Sequence, residues 1–266
     1  MKELTPQELR EVQMGILQEF HDFCTTHNIK YSLCGGTLLG AVRHKGYIPW
    51  DDDIDVMLPR REYNKLLKLY HSDKFTLYHY DTCPKYMQSF AKLCDNRTLL
   101  TEHIVYEPDY GVDIDIFPLD FFPDTEGESL KWSNHLKRWK NIRNLKSMTV
   151  SSHRSFIKNV IVVLSRILLF PIPMKYVVRK IDLDAQRYAG KTDGYLGNMT
   201  NGKGYRERNP MAKRLIDIEF EGKMYKAIDN YDIYLTNLYG NYMAPPPTAK
   251  ERETTHTNTA WWKDSK

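Results

Sequence analysis

The segment Asp51-Asp52-Asp53-Ile54-Asp55 gathers four carboxylates in five residues. Residues 53–58 alternate in character and read as a strand. Side chains alternate across a strand, so Asp53 and Asp55 share one face and Ile54, Val56 and Leu58 the other. Two carboxylates on one face repel and raise each other's pKa, a penalty that a divalent cation removes. Mg²⁺ (or Mn²⁺) takes oxygen ligands and sits between one or two carboxylates and substrate phosphates. Asp51 precedes the strand and reads as a supporting ligand.

The run Val112-Asp113-Ile114-Asp115-Ile116 repeats the pattern, with the aspartates on one face and the apolar residues on the other. If the two strands lie close, a third carboxylate reaches the same site and can act as base toward a hydroxyl. A third component is Gly35-Gly36-Thr37, glycines between a strand and a helix. Such a turn lets backbone approach a phosphate, and the helix N-terminus adds free N–H groups and the positive end of its dipole. Arg43, His44 and Lys45 lie between the glycines and the acids. Arg43 could hold a phosphate by two parallel hydrogen bonds and His44 could bind phosphate or move a proton.

Each part has a plainer reading: a solvated acidic loop, an edge strand with one wet face, and a helix end with favourably placed cations. An EF-hand is a sharper rival, since Asp51, Asp53, Asp55 and Glu62 fall at positions 1, 3, 5 and 12 of a calcium loop. Val56 stands where that loop needs glycine, and Pro59 lies inside it, so the EF-hand is rejected. The joint occurrence in order favours a site. Strand, glycine turn, helix, Asp-x-Asp strand and later Asp strand is the plan of the nucleotidyltransferase fold.

The elements that would position these groups follow from local pattern. Thr5-Pro6-Gln7-Glu8 is a capping box with Pro at the first helical position. Leu9, Val12, Ile16, Phe20 and Cys24 then recur at helical spacing, so a helix runs to about His27. Strands are expected at 31–34, 53–58, 75–80, 88–93 and 111–118, the last closed by Pro118, and short helices after Gly36 and Pro59. Residues 127–146 and 156–190 read as helical, with a break at Pro171-Ile172-Pro173. A hairpin around Glu221-Gly222 and a helix over 231–238 follow, and the tail is Pro-rich and poorly patterned. The fold class is α/β (α+β): a nucleotidyltransferase-fold core with a mixed sheet over 1-125, then a helical and small α/β region over 126-266 packing on it. A single continuous domain is equally compatible with the pattern.

The chain has 266 residues, 41% hydrophobic and 27% charged, a globular composition. A net charge of +4 does not demand nucleic acid and suits an anionic substrate or membrane surface. Cys24, Cys34, Cys83 and Cys94 form no CxxC pair, and the N-terminus lacks the apolar core of a secretory leader. Both favour a reducing cytosol. Residues 156–170 read FIKNVIVVLSRILLF, too short and too interrupted for a span of roughly 20 apolar residues. Two readings stay open there: a buried core helix, or an interfacial helix with Lys158 and Arg166 at its edges, giving peripheral contact with the inner face of the plasma membrane.

Residues 31–60, YSLCGGTLLGAVRHKGYIPWDDDIDVMLPR, closely resemble the LicD family of bacterial phosphocholine transferases, which is related to fukutin and the fukutin-related protein. The likeness continues at FAKLCD (90–95) and GVDIDIFPLD (111–120), resumes at 220–222 and 238–243, and extends to Pro245-Pro246 and His256. The resemblance implies a metal-dependent transferase that moves a phospho-alcohol group from a CDP-activated donor to a sugar hydroxyl of a surface glycan. CDP-choline is the usual donor, CMP the product, and teichoic acid, lipopolysaccharide or capsule the acceptor, as free glycan or lipid-linked oligosaccharide. Residue by residue it implies Asp51, Asp53, Asp55 and Asp115 as metal ligands, with Asp53, Asp55 and Asp115 catalytic. Gly36, Thr37, Arg43, His44 and Lys92 would meet the donor's phosphates. Asp113 stands where the family often has an aromatic or apolar residue, which favours Asp115 as the third carboxylate. Choline would want an aromatic cage, for which Tyr47 and Trp50 are near, and Trp261 and Trp262 serve only if the tail folds back. The alternatives are a true nucleotidyltransferase releasing pyrophosphate and a non-catalytic glycan-binding protein on the same fold.

Overall fold

The structure is a computed structural model that describes residues 1–101, 108–150, 155–200, 204–244 and 259–264. In chain order the elements begin β1 (Lys2–Glu3), α1 (Pro6–Thr26), β2 (Ser32–Leu33), α2 (Gly35–His44), β3 (Asp55–Pro59) and α3 (Arg60–Leu69). β4 (Phe75–Tyr78), β5 (Ala91–Asp95), β6 (Thr98–Thr101) and β7 (Asp113–Phe121) follow. Three helices come next, α4 (Glu126–Ser147), α5 (Phe156–Leu168) and α6 (Met174–Ala185). The chain then forms β8 (Tyr195–Gly197), β9 (Asn209–Pro210), β10 (Leu215–Phe220), β11 (Lys223–Ile228), α7 (Tyr231–Tyr239) and β12 (Thr259–Trp262).

The fold is α/β around a mixed sheet ordered β2-β3-β7-β5-β4, with β8 and β9 added beside the end of β7. β3 and β7 run parallel, while β2, β5 and β8 pair antiparallel with their neighbours. α1 starts at the expected capping box, with Glu8 N–H donating to Thr5 Oγ1 (3.2 Å) and Thr5 N–H to Glu8 Oε2 (2.8 Å). Its stripe of Ile16, Leu17 and Phe20 is fully buried, worth about 1.5–3 kcal/mol for each such side chain. α1 lies against β5 and β7, and α3 against β3 and β7.

Elements from both sides of residue 125 meet in one core cluster, where Ile16, Val56 and Ile116 join Phe220, Leu235 and Ala260. The β10–β11 hairpin packs on β2 and α2, and Ser32 Oγ accepts the Ile228 N–H at 3.0 Å. Arg60, at the start of α3, donates to Asp120 (2.6 and 2.8 Å) and to Asp182 (2.7 Å), all three buried, tying α3 and β7 to α6.

Several expectations are corrected. Pro118 does not close its strand: β7 continues to Phe121. β5 leaves the ladder at Ile116 and β8 joins at Asp120, so the proline falls where no partner needs an N–H. The tail is patterned at one point, because β12 returns to pair with β6 and β1. β6 had no alternation to reveal it. α5 is not a core helix: Val162 is buried, while Phe156 and Leu168 are 81% and 79% exposed. No helix among the described residues is long and apolar enough to cross a membrane.

Candidate active site

The register of three strands assembles the site. Asp55 on β3 stands opposite Asp115 on β7. On the other side of β7, Lys92 of β5 stands opposite Asp115, and Cys94 opposite Asp113. Partners in register share a face, so Asp55, Asp113, Asp115 and Lys92 converge on one side of the sheet. Lys92, 7% exposed, places its ammonium 2.5 Å from Asp113 Oδ2 and 2.8 Å from Asp115 Oδ1. Its Nζ also lies 5.4 Å from the centre of the Tyr110 ring. An ammonium held between two carboxylates offsets most of their mutual repulsion. Lys92 thus meets aspartates directly in this structure, and Asp113 stands beside Asp115 as an equal partner.

Strand geometry does not reach back to Asp53, because β3 begins at Asp55. The residues before it form a loop fixed from three sides. Gln13, buried on α1, donates to the Asp52 carbonyl at 2.7 Å and accepts from the Tyr47 hydroxyl at 3.0 Å. Arg10 reaches the carbonyls of Pro49 (3.4 Å) and Asp51 (3.3 Å). Glu221, at the β10–β11 turn, accepts the Tyr47 N–H at 2.9 Å. Asp52 and Asp53 line a cleft of about 80 Å³ together with Lys92, Asp113 and Asp115. The loop conformation, not strand alternation, places Asp52 and Asp53 at this cleft.

Asp51 and Asp55 both approach the glycine turn. A Cβ on Gly35 would stand 2.7 Å from Asp55 Oδ2, and a Cβ on Gly36 would collide with Asp51 Oδ2. Gly35 adopts φ +55°, where an L side chain is strained. Its N–H donates to the Tyr234 hydroxyl at 3.2 Å, and burial holds that phenol well above its ordinary pKa, so it stays protonated. Thr37, also buried, accepts the Asp55 N–H at 2.8 Å and so fixes the entry of β3. A larger cavity of about 410 Å³ lies farther along the same strands, lined by Met57, Leu119, Glu207 and Tyr234 among others.

Arg43 and His44 lie at the other end of α2, seven residues and about 10 Å along the axis from Gly36. Arg43 donates to the carbonyls of Tyr242 (2.7 Å) and Ala244 (3.4 Å) and to His44 Nε2 (2.9 Å). Burial and then the Arg43 charge push the His44 pKa down, which suits an imidazole that accepts. The pair therefore clamps the segment after α7 onto α2. Trp261 and Trp262 pair with Leu99 and Thr98 in the three-stranded sheet β1-β12-β6, with Trp262 under the Arg97 guanidinium. Pro245, Pro246 and His256 lie outside the described residues.

Among the described residues no three of His, Cys, Asp and Glu are gathered closely enough, as the side chains stand, to hold a metal ion. Lys92 supplies the positive charge at Asp113 and Asp115 in this arrangement. The donor types still fit a hard divalent cation, since Asp55 stands opposite Asp115 beside the glycine turn and Asp53 lines a cleft with Asp115.

Sequence reasoning missed Gln13, Tyr234 and Glu221. A buried glutamine in the apolar stripe of α1 was the legible signal for the first. The other two act from the far end of the chain: Tyr234 carries no local signal, and the hairpin pattern at Glu221 does not reveal its contact with Tyr47.

Comparison with known proteins matches residues 28–157 to a family model described as "LicD/FKTN/FKRP, nucleotidyltransferase domain". The chain is 32% identical over 95% of its length to the lipopolysaccharide cholinephosphotransferase LicD of Haemophilus influenzae, covering 96% of that protein. The chain belongs to the LicD family. An uncharacterised protein of Rickettsia typhi shares 32% identity over 44% of this chain and 37% of its own length. One from Rickettsia prowazekii shares 54% over 15% of each. In this LicD-family chain the matched segment holds β3, β5, β7 and the glycine turn, which are the elements that build the carboxylate face.

Proposed function

We propose that this chain is a transferase that moves phosphocholine, or a related phospho-alcohol, from a CDP-activated donor onto a sugar hydroxyl of a lipopolysaccharide-type glycan and releases CMP. The observation that carries the reading is the convergence of Asp55, Asp115, Asp113 and Lys92 on one face beside the Gly35 turn. Its near full-length likeness to a lipopolysaccharide cholinephosphotransferase supports the substrate class.

Mg²⁺ or Mn²⁺ would be held by Asp53, Asp55 and Asp115, with Asp51 at the turn, and when bound would neutralise charge on the donor diphosphate. The chain's own groups do the rest. The amides of Gly36 and Thr37, in the first turn of α2, face the phosphates, aided by the dipole. Asp115 takes the proton of the acceptor hydroxyl. The freed oxygen attacks the phosphorus bearing the alcohol, that phosphorus–oxygen bond forms, and the bond to the CMP oxygen breaks. Lys92 orients Asp115 through its ion pair. The cavity beyond Met57 and Leu119 has the size of a small-molecule site and gives the substrates room.

The test is a donor screen with CDP-choline, CDP-ethanolamine, CDP-glycerol and CDP-ribitol over a glycan acceptor, reading CMP. CMP release that Asp53→Asn and Asp115→Asn abolish without loss of fold is expected. Release of pyrophosphate, or near-normal turnover in Asp53→Asn at saturating Mg²⁺, would overturn the assignment.

A further inference from the structure

The charge of the chain is segregated. Residues 129–181 contain twelve Lys and Arg and no Asp or Glu, while the other 26 Lys and Arg stand against 34 Asp and Glu. This stretch therefore carries +12 and the remainder −8. It contains α5 and most of α4 and α6.

α5 presents apolar side chains to solvent along its length. Phe156, Ile157, Ile161, Leu164 and Leu168 are 81%, 71%, 53%, 59% and 79% exposed, and Phe170 just beyond is 83% exposed. An exposed apolar patch of this extent marks an interaction surface. At 13 residues α5 is about 20 Å long, short of the roughly 30 Å hydrocarbon core.

A second feature lies at its C-terminal end. Lys146 of α4 and Arg166 of α5 line a cavity of about 350 Å³ with Ile167 and Phe170, and no carboxylate is among these lining residues. Lys146 is only 6% exposed, and its Nζ donates to the Leu169 carbonyl at 2.7 Å. Burial and then the neighbouring Arg166 charge push its pKa down. Two cations beside two outward apolar side chains match a phosphate whose ester chains continue into an apolar phase.

We propose that α5, flanked by the cationic stretches of α4 and α6, is a docking surface for an anionic phospholipid bilayer, with Lys146 and Arg166 at a headgroup phosphate. The apolar side chains of α5 enter the acyl boundary and Lys158 stays at the headgroups, the arrangement of an interfacial helix. Charge decides the occupant. A second copy would set this cation-rich region, with Lys146 and Arg166 at its cavity, against its own like, whereas an anionic leaflet attracts it. The surface goes beyond the transfer reading and does not depend on it, since its test has no catalytic readout.

The whole 266-residue chain is floated with vesicles of phosphatidylcholine alone and of phosphatidylcholine mixed with phosphatidylglycerol. Flotation with the mixed vesicles, weak flotation with phosphatidylcholine, and release on adding salt are expected. Ile161→Glu and Leu164→Glu, at exposed positions that keep the fold by circular dichroism, abolish flotation, and Arg166→Gln weakens it about fivefold. Flotation indifferent to these variants, or equal on both vesicle types, overturns the proposal. So does self-association in sedimentation velocity that Leu164→Glu abolishes without any flotation, which would make the face a contact between copies.

Discussion

Replacing Gly35 with Ala tests whether the glycine turn sets the position of Asp55. Two costs arise and can be separated. An L residue at φ +55° costs about 1–2 kcal/mol of backbone strain. The new Cβ would also stand 2.7 Å from Asp55 Oδ2, and ordinary contact begins at 3.4 Å, so the carboxylate must retreat by 0.7 Å. A displacement of about 1 Å in a reacting constellation costs on the order of a hundredfold in rate. Gly35→Ala should therefore lose tenfold to a hundredfold in turnover, on the order-of-magnitude scale of that effect, while losing only the strain energy in urea unfolding. A domain with about 5–15 kcal/mol of stability remains folded after that loss. Gly222 in the β10–β11 turn is the control, because it has φ +73° and nothing lies within 4 Å of where a Cβ would stand. Gly222→Ala meets the same strain without the collision and should keep full turnover. CMP release at saturating donor and urea midpoints, measured on both variants, decide the matter. If the two variants lose turnover alike, or Gly35→Ala loses none while folded, the claim that the turn positions Asp55 is wrong.

Removing Arg60 should be costly, because Arg60→Leu leaves Asp120 and Asp182 buried with their cation gone. A loss of about 3–5 kcal/mol in urea unfolding is expected, and a loss under about 1 kcal/mol, the scale of a surface pair, would refute the reading. Lys140 is buried, donates to the Met199 carbonyl at 3.0 Å, and burial lowers its pKa from 10.5 to about 8. The unfolded chain therefore binds the extra proton between those values, so wild type should gain stability relative to Lys140→Met as pH rises from about 8 toward 10.5. A gap between the two proteins that stays constant over that window would count against it.

What the sequence determined by itself was local and periodic. The capping box at Thr5 and Glu8, the alternation of Asp113 and Asp115 with isoleucines, and the glycines before α2 all depend on neighbours a few residues apart. The hairpin at Glu221-Gly222 was legible for the same reason, since both residues adopt the positive φ that a tight turn demands. The resemblance over residues 31–60 carried the family, because that run is long and contiguous. What only the tertiary structure decided was register and closure. Lys92 faces Asp113 and Asp115 because β5 pairs with β7 at one offset, and a slip of one residue would turn it to the other face. Asp53 falls outside the strand because Gln13, Arg10 and Glu221 hold the preceding loop. Arg43 meets Tyr242 and Ala244 some 199 and 201 positions away, and Arg60 meets Asp182 across 122. α5 carries an apolar pattern that a core helix and a surface helix share, so its periodicity could not tell which faces water. Such choices depend on which distant surfaces remain to cover each face once the chain has closed its loops, and no local window contains that information.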